Sequence, residues 1–185
     1  MHDPAAPAWC GVNHLALVTD DMDATVRFYH GVLGARLVAT LGTPAFRHYF
    51  FEIGEGSTVA FFEYRGVRHE PLRKAAGVPD PRAVQFDHLS LGLPDEAALL
   101  ALRDRLGAAG CEVTEVVDHR MIRSIYFTDP NGIALEASWW VDDATAGETA
   151  FDAGGRFADP DPVAAVRELA EHGSLRGPLP ATRLV

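Results

Sequence analysis

Two seven-residue stretches decide the fold: Val12-Asn13-His14-Leu15-Ala16-Leu17-Val18 and Phe86-Asp87-His88-Leu89-Ser90-Leu91-Gly92. Both read His-Leu-small-Leu, with apolar residues at every second position, the pattern of a half-buried strand. Each is followed by a helix start. Asp20-Asp21-Met22-Asp23 opens a run with Met22, Val26, Tyr29 and Leu33 at helical spacing, and Asp95-Glu96 opens one with Leu99, Leu102 and Leu106. Acidic residues in a first turn suit the positive end of the helix dipole. Gly34 and Gly110 stop the two helices. Further outward, a shift of 76 lays Gly34 on Gly110, Phe50 on Tyr126, Phe51 on Phe127 and Gly56 on Gly132. Residues 47–64 therefore match 123–140 without a gap, each as two strands around a tight glycine turn. The opening strands match at a shift of 74, which leaves two residues of slack in the helices.

The repeat predicts an α+β fold of paired β-α-β-β-β modules, forming a curved mixed sheet around a cleft. Module one spans 11–64, a charged linker bearing Pro and Gly spans 65–84, and module two spans 85–140. Residues 141–185 form a C-terminal extension. Within it Val163, Val166 and Leu169 recur at helical spacing and predict a short helix over about 162–172.

The 185 residues carry a formal net charge of −10, which argues against a nucleic-acid footprint or attraction to anionic lipid. No apolar run reaches membrane-span length, and the first eight residues lack the layout of a secretory signal. Cys10 and Cys111 read as reduced thiols in a cytoplasmic protein.

Side chains on a strand alternate between faces, so only every second residue of each strand looks into the cleft. His14 shares its face with Ala16 and Val18, and His88 with Ser90 and Gly92, so each histidine is the metal-capable residue of its strand face. Glu136 lies in Ile133-Ala134-Leu135-Glu136-Ala137-Ser138, an apolar strand where a carboxylate is costly unless paired or metal-bound. The repeat maps Glu136 onto Ala60, which binds nothing, and the nearby Glu63 falls on the opposite face. Two imidazoles and one carboxylate with open positions favour Fe(II), with Mn(II) or another divalent metal such as Zn(II) also compatible. By the same alternation His48, Phe50, Phe62 and Ser138 are pocket positions.

These paired modules, with His14, His88 and Glu136, resemble the vicinal oxygen chelate superfamily over roughly residues 11–140. That superfamily includes glyoxalase I, methylmalonyl-CoA epimerase, extradiol ring-cleaving dioxygenases and antibiotic-resistance proteins. A narrower resemblance runs through Val117-Asp118-His119, Ile125-Tyr126, Asp129-Pro130-Asn131-Gly132 and Glu136, and is similar to the extradiol dioxygenase signature. The resemblance implies that His14, His88 and Glu136 ligate the metal, that His119 stands behind them, and that Tyr126 hydrogen-bonds a bound catecholate oxygen. His69 would be an acid–base histidine, although its 19-residue spacing from His88 is long for the family. Ala60 fits the dioxygenase pattern, since glyoxalase I and the epimerase use a fourth protein ligand there. One module pair corresponds to the small single-domain branch. The implied activity is cleavage of a catecholic ring with O₂ at Fe(II), in a homodimer that binds neither nucleic acid nor membrane. The alternatives are a metal-dependent lyase or isomerase and a small-molecule sequestering protein.

Overall fold

The computed structural model describes residues 7, 10–82, 85–146, 151 and 156–183. The chain divides into two compact units, Ala8–Asp142 and the remainder, Met1–Pro7 with Asp143–Val185. The larger unit holds both repeats. The first runs β1 (His14–Val18), α1 (Met22–Val26), a π-helical turn (Arg27–Val32), β2 (Arg36–Gly42), β3 (Phe46–Gly54) and β4 (Ser57–Tyr64). The second runs β5 (Leu89–Gly92), α2 (Glu96–Ala108), β6 (Val117–Asp118), β7 (Ile122–Thr128) and β8 (Ala134–Trp140). Each repeat builds its own four-stranded mixed sheet, ordered β1-β4-β3-β2 and β5-β8-β7-β6. The first strand is parallel to the last, and the other pairs are antiparallel.

The duplication is written into the registers. Ala60 pairs with Ala16 on one side and Phe50 on the other, and Glu136 pairs with Ser90 and Tyr126. Both hairpins turn at a glycine with positive φ, Gly56 at 71° and Gly132 at 81°, where a Cβ is disfavoured. Asp21 and Asp95 cap the two helices by accepting the N–H of Ala24 and Ala98.

The first helix departs from the sequence expectation. Instead of one α-helix reaching Leu33, it widens after Val26, and the Leu33 N–H reaches back five residues to the Phe28 carbonyl. The extra residue per turn seats both Phe28 and Tyr29 in the core. It also leaves the carbonyls of Gly31 and Val32 to the Arg105 guanidinium of α2, a cation at a helix C-terminus.

The helices cover one face of each sheet. Tyr29, Phe51, Val59, Phe61, Leu99, Leu106, Ile125 and Leu135 are fully buried there, and each large apolar side chain contributes about 1.5–3 kcal/mol. The other face is open: His14, Ala16 and Val18 of β1 and Ser90 and Gly92 of β5 are exposed.

A second bridge joins the modules at the turn before β8. The Asp129 carboxylate accepts the backbone N–H of Asn131 and Ile133, the Asn131 side-chain amide and the Tyr29 hydroxyl. Asn131 in turn accepts the Thr19 hydroxyl at 2.7 Å. Burial pushes the Asp129 carboxyl up and holds the Tyr29 phenol well above its ordinary value, with Asp129 adding to the latter.

In the smaller unit α3 (Ala164–His172) ends at Gly173, whose positive φ of 68° closes the helix onto the Leu169 carbonyl. Glu168 accepts the N–H of Arg176 and Gly177, folding the chain back on the helix. No residue of α3 is buried. Among the described residues, no helix is long and apolar enough to cross a membrane. Cys10 and Cys111 form no disulfide.

Candidate metal-binding site

β8 carries Glu136 on its open face but is flanked there closely enough that the residue is only 7% exposed. Three neighbours meet its carboxylate. His88, just ahead of β5, brings Nε2 to 2.8 Å from Oε2. From β7, Ser124 and Tyr126 both donate hydroxyls to Oε1, the Tyr126 contact at 3.2 Å. The chain of bonds continues outward, as His119 Nε2 lies 2.8 Å from the Tyr126 hydroxyl. Burial and the charge of Glu136 raise the Tyr126 phenol, so it remains a donor.

His88 is held from behind as well. Its Nδ1 lies 2.6 Å from Asp87, whose carboxylate also takes Lys74 Nζ at 2.5 Å and the Gly77 N–H at 2.7 Å. Asp87 therefore fixes the tautomer, with Nδ1 protonated and Nε2 aimed at Glu136. Hydrogen bonds from Lys74 and His88 hold the Asp87 carboxyl well below the ordinary range. The linker is thus pinned to the strand that presents His88.

In the first module, Asn13 stands where Asp87 stands in the second, and accepts His14 Nδ1 at 2.7 Å. His14 remains on its own sheet, with its ring 5.6 Å from Phe50 and 6.3 Å from His48. Among the described residues, no three His, Cys, Asp or Glu side chains converge closely enough to enclose a metal ion. The structure brings His88 and Glu136 together and leaves His14 outside the pair. The donor chemistry of that pair fits a divalent cation. An imidazole nitrogen and a carboxylate oxygen face each other across 2.8 Å, each anchored on its far side.

His48 is 8% exposed, packed face to face on Phe62 at 3.6 Å, and its Nε2 has no hydrogen-bond partner. Burial, then the neighbouring His14, lowers its pKa. Phe50 and Phe62 lie on the same face as His48, and the Ser138 hydroxyl is 2.8 Å from that of Ser90 on the corresponding face of the second sheet. His69 falls elsewhere. Its Nδ1 and backbone N–H are both held by Asp20, at 2.7 and 2.9 Å. It lines a cavity of about 350 Å³ together with Val18, Asp20, Lys74, Asp87 and Ala134. Hydrogen bonds from His69 lower the Asp20 carboxyl. Arg47 and Arg123 turn away from the open faces to Glu63 and Glu96.

Sequence reasoning missed Ser124, Asp87 and Asp20. Ser124 was within reach, since it is two residues from Tyr126 and shares its strand face. Asp20 was not, because its partner lies 49 residues away across a linker without periodicity.

The sequence profile of the Glyoxalase/Bleomycin resistance protein/Dioxygenase superfamily matches residues 11–137. The chain belongs to this superfamily. The glyoxalase superfamily fold is also seen in solved structures. A glyoxylase/bleomycin resistance protein/dioxygenase domain from Frankia sp. EAN1pec is 23% identical, with a TM-score of 0.62 over 72% of this chain and 99% of that one. Lactoylglutathione lyase from Agrobacterium tumefaciens is 27% identical, with a TM-score of 0.52 over 72% of this chain and 96% of that one. TnmS3, an antibiotic-binding protein from Streptomyces sp. CB03234, is 18% identical, with a TM-score of 0.55 over 73% and 99%. The superfamily's description thus covers glyoxalases, resistance proteins and dioxygenases, and the fold is shared by a lyase and an antibiotic binder. Its members commonly bind a divalent metal, so the choice among these activities rests on the site.

Proposed function

We propose that the chain is a divalent-metal-dependent enzyme of extradiol type, which opens the ring of a catecholic small molecule with O₂. One observation carries the reading. A continuous chain of hydrogen bonds links His119, Tyr126, Glu136 and His88, while Ala60 occupies the mirror position of Glu136. Two imidazoles and one carboxylate remain as donors, without a second acid. His88 and Glu136 would hold the ion, and His14, which stands outside that pair in this structure, would have to approach to complete the set; the ion would be Fe(II) before Mn(II) or another divalent metal. A metal bound there would supply Lewis acidity toward two neighbouring hydroxyls and a meeting point for two reactants.

The chain's own residues do the rest. Tyr126 presents a hydroxyl beside Glu136 that can hydrogen-bond a substrate oxygen. His119, 2.8 Å from it, keeps that phenol oriented and supplies a proton path to the protein surface. His69, its Nδ1 committed to Asp20, offers Nε2 for general acid–base work in the cavity that Asp87 also lines. A homodimer in the cytoplasm belongs to the same proposal.

The 27% identical lactoylglutathione lyase favours a second reading, a lyase or isomerase that moves a proton without consuming O₂. Loading the protein anaerobically with Fe(II) and mixing it with catechols in aerated buffer separates the two. O₂ uptake with a yellow ring-fission product supports the dioxygenase. Turnover of an α-oxo or vicinal diol substrate without O₂ uptake replaces it with the lyase.

A further inference from the structure

The two sheets carry different side chains at equivalent positions of their open faces. In the second, Ser124, Tyr126, Glu136 and Ser138 make a polar surface. The same positions in the first are His48, Phe50, Ala60 and Phe62, and the row extends to Phe46 and Tyr64, the counterparts of Ile122 and Trp140. Their rings form one continuous wall. His48 stacks on Phe62 at 3.6 Å and 13°, Phe62 lies parallel to Tyr64 at 5.4 Å and 3°, and Phe50 leans on His48 at 4.3 Å. The wall does not close into the core. Tyr64 is 40% exposed, and Val18, paired with Phe62, is 39% exposed.

Two further observations point to a ligand on this wall. His48 is more than nine-tenths buried among the rings and its Nε2 has no partner, a cost of the kind that a bound oxygen would relieve. The 350 Å³ cavity begins beside the wall: Val18, paired with Phe62, and His69, whose ring lies 6.3 Å from Tyr64, line it together with Asp87 and Ala134. Aromatic rings gain most from flat aromatic partners in edge-to-face or offset contact. The cavity also exposes Asp20, Asp21, Glu70 and Asp87, which disfavours a carboxylate-bearing ligand.

We infer that the first module is a recognition wall for a neutral, oxygen-substituted fused-ring aromatic molecule, larger than a single-ring catechol. The molecule lies against His48, Phe62 and Tyr64 and reaches toward the His88–Glu136 pair. This inference rests on the reading above that His14, His88 and Glu136 serve one catecholic substrate, and it adds the substrate class.

The test uses full-length protein freed of metal by chelator dialysis, so that binding is read without catalysis. 2,3-Dihydroxynaphthalene is titrated by its own fluorescence, with catechol and the saturated decalin-2,3-diol as competitors. The expected result is binding of the naphthalene diol at least tenfold tighter than either competitor. Tyr64→Ala, at an exposed position, and Phe62→Leu should shrink that preference below threefold. His48→Phe, which keeps the ring and removes the nitrogen, should weaken the diol at least fivefold. Equal affinity for the three compounds, or a preference that survives both wall substitutions, overturns the inference. Naphthalene diol preference in metal-free protein that consumes no O₂ when iron-loaded would keep the wall and remove the dioxygenase. O₂ uptake on catechol without that preference would do the reverse.

Discussion

At the scale of single residues, the two histidines differ in what stands behind them. Asp87 places a full negative charge on His88 Nδ1, whereas Asn13 places a neutral amide on His14. A carboxylate there raises the basicity of the opposite nitrogen and fixes its direction. Asp87→Asn should weaken divalent-metal binding by roughly 10–100-fold, measured by chelator competition, with the far-UV circular dichroism unchanged. Unchanged metal affinity would mean that His88 needs no such support. Tyr29 makes a different kind of prediction. Its phenol is held well above its ordinary value of 10.0 by burial and by Asp129. In the unfolded chain it ionises near 10, while the folded state keeps the proton. The folded state then binds more protons, so stability falls as pH rises above about 10. Tyr29→Phe should flatten that alkaline fall while costing about 1 kcal/mol near neutrality for the lost hydrogen bond. Urea midpoints between pH 8 and 11 would show whether the slope persists.

At the scale of elements, the turn between β7 and β8 is one of two places where the modules are fastened. Asp129 serves four donors, one of them from the other module. Asp129→Ala would strand those groups in a buried place and should cost about 3 kcal/mol, read as a lowered urea midpoint. A loss within a few tenths would show that water replaces the carboxylate. In the sequence, Asp129-Pro130-Asn131-Gly132 carried weight only as part of a family signature, and the structure gives it a mechanical reason. The strands themselves were legible, because period-2 alternation and glycine turns are local. Parity also placed His14, Glu136, Phe50 and Tyr126 on open faces. The widening of the first helix was hidden, since one inserted residue leaves the apolar spacing of Met22, Val26 and Tyr29 intact up to the point of slip. Which side chains would bond was hidden too. The sequence marks the face on which His14 and His88 stand, but their separation depends on how two sheets are set against each other, and no local pattern encodes that.

At the scale of the whole molecule, the hydrophobic core among the described residues, with the apolar side chains packed on it, lies between Leu17 and Trp139, and α3 buries none of its residues. A chain ending at Asp142 should therefore unfold in a single cooperative transition, with a Tm within a few degrees of the full-length protein by calorimetry. A broad or strongly lowered transition would assign the extension a share of the stability. The unlike residues at Ala60 and Glu136 have a consequence of another order. A duplicated unit with the carboxylate and its hydrogen-bonded partners in one half and a wall of rings in the other can retool its selectivity by drift in that wall alone. Descendants of such an ancestor would diverge in what they accept long before they diverge in what they do to it.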